Sequence, residues 1–370
     1  MEINKLLSIG FTIVILALFV LSIYYTSNRL RVYFGLKSIC CRFICVTLTV
    51  IGTMTAMMLA ARSSSAFVGA LSIIGGYILI FYIYVFVLFA LIHVISLKWN
   101  LPLRWCAAGT VAFAFMLTMA GSFRANSFAV NEIRIKLPKL TKEISVMLIS
   151  DVHLGWHRGR EYLEKIVNET NLIKPDIILI AGDIADSNVA LNPDTFEPLA
   201  KFIAPVYFVI GNHETYIDTK LALELIERYG VHILHNKIVY ENGVQIVGLD
   251  YMNADENTFD MHLSNDTRTI KSILANLTLK SNMPTLLMHH SPIGIKYVKS
   301  KGIDLMLSGH THAGQVFPFT LLVNIIFPFN RGLYQEDKMQ VFVTQGAGTY
   351  MVRSRLGSSN EINLLRLMPN

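Results

Sequence analysis

The stretch "SGHTHAGQVFP", residues 308–318, carries two histidines one residue apart, His310 and His312. In an extended segment, residues i and i+2 point to the same side, so both imidazoles can reach one point. Gly309 and Gly314 leave room for another group to approach the backbone. Imidazole nitrogens are common ligands of transition metals. The spacing therefore indicates a metal site whose other ligands must come from elsewhere in the chain.

Four more polar clusters follow short apolar runs: "EISVMLISDVH", "PDIILIAGDIAD", "APVYFVIGNHE" and "MPTLLMHHSP". These runs are apolar on both faces, as in buried strands covered by helices, and helix-like stretches lie between them at 161–171, 196–202, 219–228 and 267–277. Sites in such sheets lie at the carboxyl ends of strands, so the clusters should meet. The ligands they offer are Asp151, His153, Asp183, Asn212, His290, His310 and His312.

This donor set contains carboxylates, an amide and imidazoles, which suit Mn²⁺, Fe²⁺, Zn²⁺ or Mg²⁺. No cysteine follows Cys106, which excludes a thiolate ligand or nucleophile from the later chain. Seven ligands are too many for one ion and fit two ions that share Asp183. Two metals ~3.5–4 Å apart form the clamp used for displacement at phosphorus. Each motif alone also fits a turn, a cap or a core histidine; their occurrence together favours the metal site.

The first third of the chain is much more apolar than the rest. Hydrophobic residues make up 53% of the chain and charged residues 16%, and the excess lies in four runs near 7–25, 39–61, 67–95 and 103–121. Each is close to the ~20 residues that a helix needs to cross a bilayer. A signal peptide could resemble the first run but not all four; an unusually apolar soluble core is the alternative. The sequence predicts a transmembrane region of about four helices over residues 1–123.

The charges beside these runs bear on orientation. The first and third loops carry five Lys or Arg residues, whereas the N-terminus and the second loop carry one each. Positive loops stay in the cytoplasm, so the later domain is expected on the other side. The basic segment 124–143, interpreted as a juxtamembrane linker, argues the opposite way.

The series DVH, GDIAD, GNHE, HSP and GHTH resembles the calcineurin-like metallophosphoesterase family over about residues 144–367. The continuation "GHTHAGQVFP", "RGLY" and "TQGAGTYMVRSRLGSSNEINLLRL" is similar to its bacterial membrane-associated branch. Ala313 stands where that branch commonly has glycine, which a backbone outside the left-handed region would tolerate. The resemblance implies an α+β fold for residues 144–370: a four-layer αββα sandwich of two mixed sheets flanked by helices.

The resemblance also implies how the ligands divide. The first metal would be held by Asp151, His153, Asp183 and His312, and the second by Asp183, Asn212, His290 and His310. The doubled His289–His290 leaves the ligand ambiguous, and the family pattern "HSP" selects His290. Two divalent cations per chain are therefore expected, with manganese favoured over iron, zinc and magnesium.

Two residues of "GNHE" have expected roles beside the metals. His213 would bind the phosphate and protonate the leaving oxygen, a step worth ~10²–10⁴-fold in rate. Glu214 could fix the His213 tautomer and raise its pKa, or could be a helix-start or surface carboxylate. The implied nucleophile is a hydroxide that bridges the two metals.

Two further stretches suggest substrate contacts. "FPFTLLVNIIFPF", residues 317–329, places an apolar run directly after the histidine pair, and Phe327 and Phe329 could line a groove for acyl chains. A core strand or helix is the alternative. Arg355 could grip the substrate phosphate by bidentate hydrogen bonds, or form a structural salt bridge.

Together these features predict a multi-pass membrane phosphodiesterase or pyrophosphatase with two metal ions, acting outside the cytoplasm on a lipid-linked phosphoester. The alternatives are a phosphomonoesterase of broad range, and a non-catalytic membrane scaffold that the intact ligand set disfavours. The expected partners are the bilayer and the substrate. Net charge is +6, but no basic block or aromatic-interleaved stripe suggests nucleic acid.

Overall fold

A computed structural model of the chain describes residues 2–36, 38–258, 262, 264 and 266–370. Lys37, counted above among the loop charges, lies outside the described residues. The chain divides into two compact units, Met1–Arg124 with Met351–Ser354, and Ala125–Tyr350 with Arg355–Asn370.

The first unit contains a helix at each of the four predicted apolar runs. The helices are α1 (Glu2–Phe34), α2 (Ile39–Ala60), α3 (Ala66–Ser96) and α4 (Leu103–Arg124). Among the described residues, α3 and α4 are long and apolar enough to cross a membrane. The 31 residues of α3 include no Asp, Glu, Lys or Arg, and a helix of that length spans roughly 47 Å. The total of four crossings stays a prediction.

The second unit is built on two six-stranded mixed sheets, which confirms the predicted pair of mixed sheets. The first sheet has the order β1-β12-β2-β3-β4-β5 and the second β10-β11-β9-β8-β7-β6. The strands are β1 (Phe128–Leu137), β2 (Ile144–Ile149), β3 (Ile177–Ile180), β4 (Val206–Phe208), β5 (His232–Ile233), β6 (Lys237–Glu241), β7 (Val244–Gly248), β8 (Thr285–Met288), β9 (Leu305–Ser308), β10 (Gly332–Glu336), β11 (Met339–Val343) and β12 (Asn360–Pro369).

Helices cover the outer faces of both sheets. They are α5 (Arg160–Ile173), α6 (Pro193–Phe196), α7 (Thr219–Arg228), α8 (Ile270–Asn276) and α9 (Ile295–Ser300). A further helix, α10 (Phe319–Ile326), follows the histidine pair. α7 begins where the Asp218 side chain accepts a hydrogen bond from the Leu221 N–H, and α8 begins with a capping box between Thr269 and Ser272. Both caps satisfy N–H groups that a helix start leaves unpaired. The helix expected at 196–202 is instead the short α6 followed by a 3₁₀ turn.

Successive side chains of each central strand enter different layers. In β2, Val146 and Leu148 join the cluster between the two sheets, while Met147 and Ile149 pack with Leu163 of α5. A third cluster lies between the second sheet and helices α8 and α9. Because strand side chains alternate with a period of two, a run that is apolar throughout buries both faces. The second unit therefore has four layers: helices, sheet, sheet and helices.

The interpretation of residues 124–143 as a linker is wrong. Residues 128–137 form strand β1, which pairs in parallel with β12 along its whole length. The alternation in "EIRIKL" buries Ile135 and Leu137 while Arg134 and Lys136 point outward. Two of the basic residues that suggested a linker, Arg134 and Lys136, therefore lie on the solvent face of an edge strand.

Candidate metal centre

The expected ligands come together at the carboxyl ends of five strands. The first group consists of Asp151 and His153, which follow β2, and His312, which follows β9. The Nε2 atoms of His153 and His312 are 3.0 Å apart, and His312 Nε2 is 3.4 Å from Asp151 Oδ1. These atoms could hold a cation between them.

The second group consists of Asp183, His290 and His310, from the ends of β3, β8 and β9. His290 Nε2 lies 3.0 Å from Asp183 Oδ2. The same carboxylate oxygen is 3.9 Å from His153 Nε2, so Asp183 lies between the two groups. This position is the one that a ligand shared by two ions would need.

Buried polar atoms that make no hydrogen bond indicate that the site fits cations. Among the described residues, His290 Nε2 and Asn212 Oδ1 are buried and make no hydrogen bond. The Nδ1 atom of His290 is 2.7 Å from the carbonyl oxygen of Ala181, and donation of its proton there leaves the Nε2 lone pair free. Buried polar atoms are nearly always satisfied, so the unpaired Asn212 Oδ1 calls for a ligand. His290 Nε2 faces the Asp183 carboxylate oxygen at 3.0 Å, an arrangement in which both atoms could bind one cation.

Between the two adjacent histidines, it is His290 that reaches this cluster. His289 instead places its Nδ1 atom 2.7 Å from the Ser291 carbonyl oxygen and stacks on the ring of Tyr251. Its Nε2 atom lies 3.5 Å from the backbone N–H of Met252. Both nitrogens of His289 therefore face backbone groups.

The backbone around the site is strained. Five of the expected ligands adopt positive φ angles of 49° to 72°, a region that non-glycine residues rarely occupy: Asp151, His153, Asp183, His310 and His312. Each such residue costs about 1–3 kcal/mol and persists where surrounding structure enforces it. Concentration of this strain at the ligands supports a functional site rather than ordinary turns.

The glycines beside the ligands allow close approach. A Cβ atom on Gly309 would lie 2.2 Å from Asp151 Oδ2, and one on Gly211 would lie 2.1 Å from Asp183 Oδ1. Gly314 combines a φ of +75° with backbone atoms of Phe319 only 2.5 Å from its missing Cβ. Ala313 is itself left-handed, with a φ of 51°, so the condition under which alanine would replace glycine without strain is not met.

His213 lies against the same carboxylate. Its backbone N–H donates to Asp183 Oδ1 at 2.9 Å, and its Nε2 atom is 3.9 Å from Asp183 Oδ2. The ring packs edge-on against His153 at 4.7 Å between centroids. Burial lowers the pKa of His213 to about 4, and the charge of Asp183 opposes this only in part. The expectation of a raised pKa is therefore wrong.

Comparison with known proteins identifies the family. The sequence profile of the calcineurin-like phosphoesterases matches residues 144–314. A metallophosphoesterase of Aquifex aeolicus is 31% identical over 238 residues, which cover 63% of this chain and 87% of that protein. The chain belongs to the calcineurin-like phosphoesterase family. This agrees with the motifs in the sequence.

Two other relatives extend the comparison. A metallophosphoesterase of Helicobacter pylori is 34% identical over 245 residues, 65% of this chain and 64% of its own length. A Danio rerio protein named "Transmembrane protein with metallophosphoesterase domain" is 34% identical over 240 residues, 61% of this chain and 54% of its own. The chain thus spans between half and two thirds of these relatives. Together with α3 and α4, the second relative indicates association with a membrane.

Glu214 does not contact the His213 ring as expected. Its carboxylate is fully buried and accepts hydrogen bonds of 2.8–3.2 Å from four backbone N–H groups, those of Asp183, Ile184, Ala185 and Gly211. Burial, followed by the charge of Asp183, raises the pKa of Glu214 to about 7, although the N–H groups lower it. Glu214 therefore fixes the loop that carries Asp183, and the assignment of Glu214 as the orienting group of His213 is wrong.

Arg355 is also placed differently from the prediction. It is 0% exposed, and its guanidinium donates to the carbonyl oxygens of His312, Gln345 and Gly348 at 2.6–2.8 Å. Its Nε atom donates to Asn360 Oδ1 at 2.9 Å. Arg355 holds the His312 backbone from behind and is not available to a phosphate. Sequence spacing could not show this, because it does not give the direction of a side chain.

Three residues at the site were not predicted from the sequence. Asp186 Oδ2 lies 3.6 Å from His153 Nδ1, where it can orient that imidazole; the second aspartate of "GDIAD" was the available signal. Tyr350 and Tyr216 place their rings 4.7 and 5.3 Å from that of His213. Both tyrosines are 38% exposed, so they border the open side of His213. Nothing in the spacing of the motifs marked them.

The apolar stretch 317–329 separates into core and surface. Phe329 packs against Tyr334 at 5.1 Å and joins the outer cluster of the second sheet, so its assignment to the substrate is wrong. The Phe327 ring lies edge-on to His310 at 5.4 Å. On α10, Leu321 and Ile325 are 65% and 80% exposed. The second unit therefore carries an exposed apolar helix a few residues after the histidine pair.

Proposed function

We propose that this protein is a membrane-anchored, metal-dependent phosphoesterase that uses two divalent cations to hydrolyse a lipid-linked phosphodiester or pyrophosphate. The observation that carries the proposal is the position of the Asp183 carboxylate between two histidine groups, with His213 against it. Family membership supports phosphoester chemistry.

The first cation would be held by Asp151, His153, Asp183 and His312, and the second by Asp183, Asn212, His290 and His310. When bound, two such cations supply Lewis acidity toward the phosphate and lower the pKa of water enough for it to attack phosphorus near neutral pH. Oxygen and imidazole donors without sulfur favour manganese or iron, and manganese is our choice to be tested first.

The chain's own residues would bind and orient the substrate. His213 can donate a hydrogen bond or a proton to the oxygen that leaves phosphorus. Glu214 keeps Asp183 in place through the backbone, and Arg355 does the same for His312. Tyr350 and Tyr216 restrict how the ring of His213 can turn.

The α10 helix favours a lipid-borne substrate. Isolated apolar residues are normal on a protein surface, but α10 exposes a run of them: Phe319, Leu321, Leu322, Ile325 and Ile326. Such a face lowers its free energy by contact with hydrocarbon. In a chain associated with a membrane, a phosphoester on a lipid meets both this face and the nearby metal centre.

Synthetic esters test the reaction class. With added Mn²⁺, we expect turnover of bis-p-nitrophenyl phosphate at a higher kcat/KM than p-nitrophenyl phosphate. A clear preference for the monoester would support the phosphomonoesterase alternative. No turnover of either compound would support the scaffold alternative and contradict the proposal. The natural substrate can be sought by comparing lipid extracts treated with the active protein and with its Asn212→Ala variant.

The role of α10 is tested by the double substitution Leu321→Ser and Ile325→Ser. Because both side chains are exposed, the fold should tolerate the change. Turnover of a lipid phosphodiester in mixed micelles is expected to fall about tenfold or more. Each apolar side chain lost from α10 weakens the association of the protein with the micelle by ~1 kcal/mol or more. Turnover of bis-p-nitrophenyl phosphate should stay unchanged.

Leu172→Ser, at a 76% exposed position on α5, is the matched control. Equal losses on both substrates would contradict a lipid-specific role.

The side of the membrane is also open to test. The distribution of positive loop residues leads us to propose that the second unit lies outside the cytoplasm. Protease added to intact cells or spheroplasts is then expected to cleave this unit, as detected by an antibody against the C-terminus. A second unit that survives until the membrane is disrupted would place it in the cytoplasm.

A further inference from the structure

Tyr350 lies beside both the first group of metal ligands and the expected proton donor. The centre of its ring is 4.7 Å from that of His213 and 5.9 Å from that of His153. The side chain is 38% exposed, so part of the ring stays open to a ligand. A substituent on phosphorus that points toward His213 would therefore come into contact with Tyr350.

The side chain of Gln315 holds the backbone of Tyr350 by two hydrogen bonds. Its amide nitrogen donates to the Tyr350 carbonyl oxygen at 3.0 Å, and its amide oxygen accepts from the Tyr350 N–H at 2.8 Å. The backbone N–H of Gln315 donates to the carbonyl oxygen of His312 at 2.9 Å. Gln315 therefore fastens Tyr350 to the loop that carries an expected metal ligand. The hydrogen bonds of Tyr350 to the described residues use its backbone, which leaves the hydroxyl for a substrate.

The backbone of Gln315 adopts a rare conformation. Its φ is 56° and its ψ is −58°, and the Val316 N–H donates to the Gly314 carbonyl oxygen at 2.6 Å across it. This is a γ-turn of the strained, positive-φ kind. Strain of this sort persists where the surrounding structure enforces it, and it is concentrated at functional sites. The strained turn supports a role for Gln315 in placing Tyr350.

Apolar groups lie beside the other group of ligands. The Phe327 ring is edge-on to His310, and α10, with its exposed apolar face, ends directly before Phe327. His310 belongs to the second group, whereas Tyr350 lies against His153 of the first. A phosphodiester with one lipid and one polar substituent thus meets different surroundings at its two ends. The lipid substituent suits the side of Phe327, and the polar substituent suits the side of Tyr350.

We propose that Tyr350 binds the polar alcohol that leaves phosphorus, and that Gln315 is the positioning residue for this contact. The inference rests on the proposed function, because it takes His213 as the donor to the leaving oxygen. A tyrosine ring packs against the CH groups of a polyol, and its hydroxyl both donates and accepts hydrogen bonds. A headgroup such as glycerol offers both kinds of contact.

The orientation of the substrate determines which ester bond breaks. The oxygen of one water forms a new bond to phosphorus, and the bond from phosphorus to the headgroup oxygen breaks with its electron pair on that oxygen. One proton of the water balances the proton that the headgroup oxygen receives through His213. The products are a lipid phosphate monoester and a free polar alcohol. The opposite cleavage would give diacylglycerol and a headgroup phosphate.

Product analysis tests this orientation. The full chain with Mn²⁺ is given dioleoyl phosphatidylglycerol in mixed micelles, and the lipid products are counted by mass spectrometry. Phosphatidate is expected to exceed diacylglycerol by about tenfold or more, since the reversed substrate would place its apolar part against polar groups. Diacylglycerol as the main product would overturn the inference and leave the proposed hydrolysis intact. No turnover of this lipid, whatever the rate on bis-p-nitrophenyl phosphate, would contradict the lipid substrate and the inference with it.

Substitutions test the two residues. Tyr350→Ala should raise KM for phosphatidylglycerol by about tenfold, and Tyr350→Phe, which keeps the ring, by about threefold. Gln315→Ala should raise KM by about fivefold. The double variant should be no worse than Tyr350→Ala alone, because Gln315 acts through the tyrosine. Gln340→Ala on β11 removes another glutamine amide that donates to a backbone carbonyl oxygen, at 2.8 Å, and should leave KM unchanged.

The variants are compared in samples whose metal content matches that of the parent protein. Losses confined to kcat, and equal on the lipid and on bis-p-nitrophenyl phosphate, would mean that Tyr350 only restricts the ring of His213. That result would overturn the contact with the leaving alcohol. Additive losses in Gln315→Ala and Tyr350→Ala would overturn the positioning role of Gln315.

Discussion

Replacing Asp183 with alanine is expected to abolish phosphoester hydrolysis and to remove both metal ions. Asp183 Oδ2 lies 3.0 Å from His290 Nε2 and 3.9 Å from His153 Nε2, so one carboxylate faces both histidine groups. Loss of both cations should lower kcat by more than ~10³-fold, the largest loss usual for one missing oxyanion donor.

The measurement is the metal content per chain after dialysis, by inductively coupled plasma mass spectrometry, together with kcat on bis-p-nitrophenyl phosphate. Two ions per chain are expected in the parent protein and none in Asp183→Ala. Asp194→Ala, which changes an exposed aspartate on α6, should keep both ions and full activity. If Asp183→Ala still holds two ions per chain, the two cations do not share this ligand.

The sequence contains enough information to place the site because strand ends converge by geometry. The runs before Asp151, Asp183 and His290 are apolar throughout, which predicts buried strands. The carboxyl ends of such strands meet at one edge, whatever the exact register. The two mixed sheets were therefore predictable from the sequence. The same geometry explains why the expected ligands lie close together. β1, an edge strand of the first sheet, is not predicted from the sequence, although "EIRIKL" alternates clearly, because its charges suggest a linker.

Side-chain direction is what the sequence could not give. Glu214 adjoins His213 in the chain, yet its carboxylate turns toward the backbone of the Asp183 loop. Arg355 looked like a phosphate ligand and is buried behind His312. Phe329 belongs to the core, although it is only two residues from Phe327, which touches His310. Each outcome depends on tertiary contacts far apart in the sequence, which spacing rules do not encode.

The second large effect is expected from His213→Ala. This variant should keep both cations, because none of the eight metal bonds assigned above uses His213. Its kcat should fall by ~10²–10⁴-fold on an alkyl phosphodiester, which is the usual contribution of a positioned proton donor to the rate. The loss should be much smaller on bis-p-nitrophenyl phosphate, since nitrophenolate is a weak base that leaves without a proton. Comparison of kcat on these two substrates measures the effect.

The low pKa of His213 sharpens this prediction. At a pKa of about 4 the free imidazole is neutral at pH 7, so it carries one N–H that it can donate as a hydrogen bond. A bound phosphoester brings negative charge beside the ring, which raises the pKa of a histidine and favours protonation only when substrate is present. His213→Gln retains a donor that cannot ionise, so it should recover part of the rate on the nitrophenyl ester and little on the alkyl ester.

Tyr216→Phe, which keeps the neighbouring ring, is the control and should leave both rates within about twofold. Equal losses on the two substrates would mean that His213 binds phosphate without transferring a proton, and normal rates on the alkyl ester would exclude it from the reaction.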